Sequence, residues 1–136
     1  RMGDPECQVI LPRLKTDFVK LLINAVNNKL NKTLISWRKE KSMTIVLCSK
    51  GYPEKYKKNI EINNIKKIKT KKNDFVYHAG TKFEGRKVVS NGGRVLNITS
   101  IGNSYYNIRK RIISIIKRLN WKGGFFRKDI GWKVIR

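Results

Sequence analysis

Acidic residues are scarce in this sequence: nine Asp and Glu stand against 32 Lys and Arg among 136 residues, a formal net charge of +23. Such a balance suits phosphate-bearing partners, including nucleic acid, through clustered cations. A compositional origin is the better reading, because Lys, Asn and Ile are all abundant and Arg, the residue suited to forked phosphate contacts, is in the minority. Cysteine is almost as scarce. Cys7 and Cys48 lie far apart, His78 is the one histidine, and no C-x-x-C spacing occurs. A zinc site is therefore unsupported, and both cysteines read as reduced, partly buried thiols. No apolar run approaches the roughly 18 residues of a membrane span, and the N-terminus lacks the basic-then-apolar pattern of a signal peptide. The cytoplasm is the expected compartment. An apolar share of 40% is enough for the core of one ordinary domain.

Helical periodicity comes first along the chain. Leu14, Phe18, Leu21, Leu22, Ala25, Val26 and Leu30 recur at helical spacing, which predicts an amphipathic helix over 12–31 with one buried face and Pro12 in its first turn. The period fades through "NNKLNKTLISWRKEKS", a connection that Leu34, Ile35 and Trp37 would pin to a neighbour, and a boundary is expected near residue 40. Strand signals follow. "MTIVLCS" is a buried β-branched run ended by Gly51 and Pro53, and "FVYHAGT", "KVVS" and "RVLNITS" continue the pattern. Asn91-Gly92-Gly93 predicts a hairpin between the last two. Ser104 is placed to cap a second helix with Tyr105, Ile108, Ile112, Ile115, Ile116 and Leu119 facing inward. Arg109, Lys110, Arg111, Lys117 and Arg118 face out, and Gly123-Gly124 ends the element.

Two stretches imitate function. The Lys-rich segment 55–72 carries Tyr56, Ile60, Ile62, Ile65 and Ile68 among its lysines, so it is the best candidate for a nucleic-acid patch, yet it has no recognised binding signature. A solvated face is the plainer reading. In "GTKFEGRKV" the two glycines have phosphate-loop spacing, but Arg86 and Lys87 stand where Lys and Ser/Thr belong and a strand-like segment follows. A hairpin or sheet-edge turn is expected there.

The acidic residues that do occur include a pair, Asp4 and Glu6, around Pro5, which restricts the local backbone. With Arg1 they could hold and orient a phosphate or carboxylate ligand through a charge-assisted contact. The other reading is a turn that starts a helix, with the acids favoured near its N-terminus. Physical chemistry alone prefers the second, since three charged residues define no reaction.

These residues nevertheless carry a resemblance. "RMGDPECQ" resembles the R-x-G-D-P-E-x-Q signature of the phosphoribosylamine–glycine ligases, ATP-grasp enzymes of purine biosynthesis. The likeness continues in order through "VLCSKGYP", "VYHAGTK", "SNGGRVLNIT" and "FFRKDIGWKVI", across essentially the whole chain. It implies an α+β fold: residues 1–40 as the C-terminal end of an ATP-grasp domain (turn plus helix), and 41–136 as a mainly β, barrel-sandwich-hybrid-like C-terminal domain with one long helix. It further implies that the nucleotide-binding lobe and the Glu and Asn metal ligands of an E-x-N-x-R pattern lie upstream of Arg1, with no metal ligand in this chain.

The implied activity joins glycine to 5-phosphoribosylamine through a glycyl phosphate, with ATP converted to ADP and phosphate and Mg2+ or Mn2+ as the metal of the full-length enzyme. Carried over position by position, Arg1 is the cation near the acyl phosphate, while Asp4 and Glu6 order the site. Gly3, His78, Thr81, Arg94, Arg127 and Asp129 fall at a substrate or domain interface. The isolated chain is expected not to turn over ATP. Its extra lysines and its "YYNIRKRIISIIKRL" helix depart from the family, which leaves a non-catalytic remnant, or a basic nucleic-acid module, as alternatives.

Overall fold

The computed structural model describes residues 1–135. Its centre is an antiparallel sheet in which β5 (Arg94–Gly102) pairs with β1 (Lys41–Ser49) on one side and β2 (Asp74–His78) on the other; the short β6 (Gly124–Phe125) extends the β1 side, giving the order β2-β5-β1-β6. Strand alternation explains the two faces. Met43, Ile45 and Leu47 stand opposite Ser100, Ile98 and Leu96, while Thr44, Val46 and Cys48 stand opposite Thr99, Asn97 and Arg94. The first face is covered by α3 (Tyr105–Leu119), whose Ile108, Ile112, Ile115 and Leu119 lie buried with Met43, Ile45, Leu47, Leu96 and Ile98 in one core. Each such aliphatic side chain contributes about 1.5–3 kcal/mol by leaving water. Ser104 caps this helix, its hydroxyl accepting from the Asn107 N–H.

Several expectations change at this level. The helix expected over 12–31 is three pieces: α1 (Glu6–Ile10), a 3-10 turn at Leu11–Arg13 that contains Pro12, and α2 (Phe18–Val26). Asp17 caps α2 through the Lys20 N–H, which restarts the helix after the chain has straightened at Leu14. Nor is the apolar face buried: within α2 only Leu21 is, while Phe18, Val19, Leu22, Ile23 and Val26 are exposed. The side chains of Leu34, Ile35 and Trp37 stay exposed, Leu34 at 94%, and the connection is tied down by backbone instead, Trp37 bridging Leu14 and the Arg38 N–H donating to the Arg13 carbonyl at 2.7 Å.

The hairpin lies elsewhere than at Asn91-Gly92-Gly93. β3 (Thr81–Glu84) pairs with β4 (Lys87–Ser90) around Gly85-Arg86, so the phosphate-loop imitation is indeed a hairpin turn, with Gly85 at a φ of 58°. Asn91-Gly92-Gly93 instead passes the chain from the hairpin to the main sheet, because β5 finds its partners in β1 and β2. A Cβ on Gly80 would meet the Arg94 carbonyl at 2.4 Å and the Gly92 Cα at 2.9 Å, so this crossing needs glycine for close backbone approach.

On α3, Arg109 and Arg111 are not free surface cations. Arg109 Nε donates to the Ile130 carbonyl at 3.1 Å and its Nη2 to that of Lys128, while Arg111 folds onto Asp74. The helix stops at Asn120, in the left-handed region at φ 46°, before the two glycines are reached.

Candidate functional site

The second face of the sheet carries the site, and α1 approaches it from the opposite side to α3. Thr44 and Thr99 bond each other across β1 and β5, Thr99 Oγ1 donating to Thr44 Oγ1 at 2.8 Å. Beside them, Asn97 is wholly buried and sends its Nδ2 to Asp4 Oδ1 at 3.0 Å. Arg94, three residues earlier, donates from Nη1 to the Asp4 carbonyl at 2.9 Å; its Nε lies 3.4 Å from Asp4 Oδ2. Gln8, one helical turn along α1, donates to the same Asp4 Oδ1 at 2.9 Å. Residues about ninety positions apart thus converge on one carboxylate.

Magnitudes separate these contacts. The Asp4 and Arg94 side chains are 39% and 44% exposed, so their ion pair falls in the surface class, worth about 0–1 kcal/mol. A hydrogen bond from a buried amide to a carboxylate is charge-assisted and worth about 1.5–3 kcal/mol. Asn97 therefore holds Asp4 more firmly than its own counter-ion does. Arg94 contributes mainly by fixing the backbone at Asp4, where the peptide bond to Pro5 is cis.

Glu6 is taken up locally. Its Oε2 accepts from the Gly3 N–H at 2.9 Å while the Gly3 carbonyl accepts from the Cys7 N–H at 2.8 Å, the side-chain half of a capping box that starts α1. The helix-start reading of the acidic turn holds for Glu6; Asp4, by contrast, reaches across to the sheet. Arg1 is exposed and makes no bond to the described residues.

The remaining expected residues surround this centre at different distances. His78, at the end of β2, shares a 2.8 Å hydrogen bond with Thr81 Oγ1 and borders a groove with Cys7, Gln8 and Tyr77. Arg127 and Asp129 form a two-point ion pair on the surface. Arg127 nonetheless borders an apolar cavity of about 360 Å³, shared with Pro5, Val46, Cys48, Tyr52 and Phe126, so it lies on the same face as Asp4. Burial pushes the Cys48 thiol up, with Arg94 pulling it down and Asp4 adding to the rise. Burial likewise raises the Tyr77 hydroxyl, with Cys7 adding to the effect. Both cysteines are free and half-buried, as expected.

Gln8, Asn97 and Cys48 were absent from the expected site. Gln8 was within reach, since it falls four residues after Asp4, one turn of a helix starting at that point. Asn97 offered a weaker signal, a lone amide inside an otherwise apolar and hydroxyl-bearing strand. The Lys-rich segment is largely irregular, with a 3-10 turn at Ile65–Lys67. Its Ile60, Ile62, Ile65 and Ile68 are spent on the core, with Ile62 only 1% exposed. Tyr56 stays half-buried, lining a groove with Ile60, Lys50, Lys55 and Lys57. Among the described residues no three His, Cys, Asp or Glu gather as a metal site, and no helix is long and apolar enough to cross a membrane.

Known proteins give this arrangement its context. The family described as "Phosphoribosylglycinamide synthetase, C domain" matches residues 42–133. A chloroplastic phosphoribosylamine–glycine ligase of Arabidopsis thaliana is 41% identical over 100% of this chain and 26% of its own length; the Agrobacterium fabrum ligase is 41% identical over 99% and 31%. A solved phosphoribosylamine–glycine ligase from Thermotoga maritima superposes with a TM-score of 0.71 at 26% identity, covering 95% of this chain and 31% of that one. The chain therefore spans about a third or less of the length of these relatives. With five ordered motifs, a family match over the sheet and α3, and a shared fold, the chain belongs to the phosphoribosylglycinamide synthetase C-domain family and matches the C-terminal portion of phosphoribosylamine–glycine ligases.

Proposed function

We propose that the chain works as the C-terminal part of an ATP-dependent carbon–nitrogen ligase of purine biosynthesis, acting in the cytoplasm. Residues 1–40 are the end of its ATP-grasp domain and 41–136 its barrel-sandwich-hybrid-like C-terminal domain. The observation that carries this reading is the junction at Asp4, where the G-D-P-E segment is fastened to the R-V-L-N strand. The two motifs act as one unit, with the acidic turn held at a fixed height above the sheet.

In the proposed reaction the glycine carboxylate takes the terminal phosphoryl group of ATP, releasing ADP. The amine of 5-phosphoribosylamine then attacks the acyl carbon, the amide bond forms and phosphate leaves. Such chemistry depends on positioning and charge neutralisation. Arg1, exposed and uncommitted, supplies positive charge to the acyl phosphate, and Asp4, held by Asn97, Gln8 and Arg94, orders the groups around it. Glu6 supports the turn through Gly3. Arg127 and Asp129 lie where an upstream lobe would meet the C-terminal domain. The described residues do not fit a Mg2+ or Mn2+ site, having no carboxylate cluster, so in this reading metal and nucleotide are held by upstream segments and no step here is routed through the metal.

The exposed apolar side chains of α2 support the same division, since a helix face of this kind needs a cover. The test is to join the upstream lobes of a relative, in one polypeptide or by co-expression, and to follow ADP release. Release that requires both glycine and 5-phosphoribosylamine is the expected result. Binding of both substrates without turnover would instead indicate a non-catalytic remnant.

A further inference from the structure

The tether that fastens the Asp4 carboxylate to the sheet is a neutral, buried amide. Asn97 sits in the middle of β5, opposite Val46 of β1 and Tyr77 of β2, with no exposed surface. Asn97 and Gln8 both donate to Asp4 Oδ1, at 3.0 and 2.9 Å. That oxygen is thereby occupied. Oδ2 has only the longer 3.4 Å approach of Arg94 Nε, so it is the oxygen left to meet an N–H donor or a cation.

The arrangement has a stability cost. Asn97 Oδ1 and Gln8 Oε1 are both buried without a hydrogen-bond partner. Neither amide can be reversed, because that would set its carbonyl against the carboxylate. The neighbouring pair Thr44 and Thr99 shows the cheaper way to fill this face, two hydroxyls satisfying one another. An amide that leaves a buried acceptor unsatisfied, where a hydroxyl would do, is explained by what its donor holds.

We propose that Asn97 is a positioning residue for the ligase reaction. It clamps Asp4 Oδ1 so that Oδ2 is presented in one direction, and Gln8 is the second half of the clamp. This rests on the reading in which Asp4 orders the reacting groups. The charged or titratable groups around the carboxylate and its clamp are Arg94 on β5, Cys48 on β1, Glu6 and Cys7 on its own segment, and Tyr77 and His78 of β2, which share a groove with Cys7 and Gln8. Of these, Arg94 alone is a permanent cation.

The test uses the joined full-length enzyme. For Asn97→Ala the expected result is a fall in kcat of about 10- to 100-fold, with KM for glycine and for 5-phosphoribosylamine within about twofold of the parent. Asn97→Asp keeps the shape but sets a second carboxyl against Asp4. At neutral pH the two repel; at lower pH one shared proton restores a donor to Oδ1. Activity of Asn97→Asp relative to the parent should therefore rise as pH falls, while that of Asn97→Ala stays flat. A merely structural role for Asn97 would lower both variants in step with their melting temperatures and give no such pH signature, which would overturn the proposal. Asp4→Ala separates the two ideas. If it is inactive while both Asn97 variants keep kcat within twofold, the clamp is wrong and the site reading stands. If Asp4→Ala is fully active, the site reading itself falls, and the clamp with it.

Discussion

Arg111→Ala should be among the most damaging single changes to a side chain outside the apolar core. Arg111 Nε lies 2.9 Å from Asp74 Oδ1, and its Nη2 donates to the Ile101 carbonyl at 2.6 Å. Ser100 Oγ donates to the same Asp74 oxygen at 2.6 Å. The Asp74 side chain is 5% exposed and that of Arg111 31%, so truncation strands a carboxylate that water hardly reaches. Removing one member of a fully buried pair costs about 3–5 kcal/mol. Ser100 remains as a donor and Arg111 is partly solvated, which lowers the expected cost to about 2–3 kcal/mol, or roughly 7–10 °C in Tm for a chain of this size. Urea unfolding should show the midpoint falling at unchanged slope. In a cycle with Asp74→Ala, the double variant should lose about 1–2 kcal/mol less than the sum of the singles. A loss below about 0.5 kcal/mol, or strict additivity, would refute the idea that this pair fastens α3 to the edge of the sheet.

Three further outcomes are expected. Gly80→Ala, which drives a methyl into the Arg94 carbonyl, should destabilise by about 2–3 kcal/mol, whereas Gly85→Ala, with open space around it, should lose only the roughly 1 kcal/mol of its positive φ; thermal melts decide the order. Leu22→Lys and Val26→Lys, at side chains 50% and 83% exposed, should leave the isolated chain within about 0.5 kcal/mol of the parent but abolish co-purification with the upstream lobes; loss of folding in the isolated chain would contradict the exposed placement of α2. The Asp129 carboxyl, hydrogen-bonded by Arg127, should titrate below the ordinary carboxylate range; the pair's contribution is present above the ordinary pKa and is lost as pH falls through the lowered one. Carbon-13 NMR should show that titration move up in Arg127→Ala.

Much of this molecule was legible in its sequence, for identifiable reasons. Strand β1 and helix α3 each bury one face against a partner, so their periods of two and 3.6 stand out and their ends are marked by Ser104 and by the turn after Ser49. The stretch 12–31 carried an equally regular apolar pattern, yet it broke at Leu14 and left its apolar face exposed. Periodicity reports that a face is apolar, not what covers it. The family signature likewise singled out Asp4 and Arg94 without saying that they touch.

The sequence by itself determined the local matters: the α3 register, the hairpin at Gly85-Arg86, the helix start secured by Glu6, and the family. These depend on residues within a turn or two of one another, or on ordered motifs. Only the tertiary structure decided that β5 leaves β4 for β1 and β2, that Arg109 and Arg111 turn inward, and that Asn97 meets Asp4. Those outcomes depend on which strand pairs with which, a choice made by competing long-range contacts that leave no periodic trace in the chain.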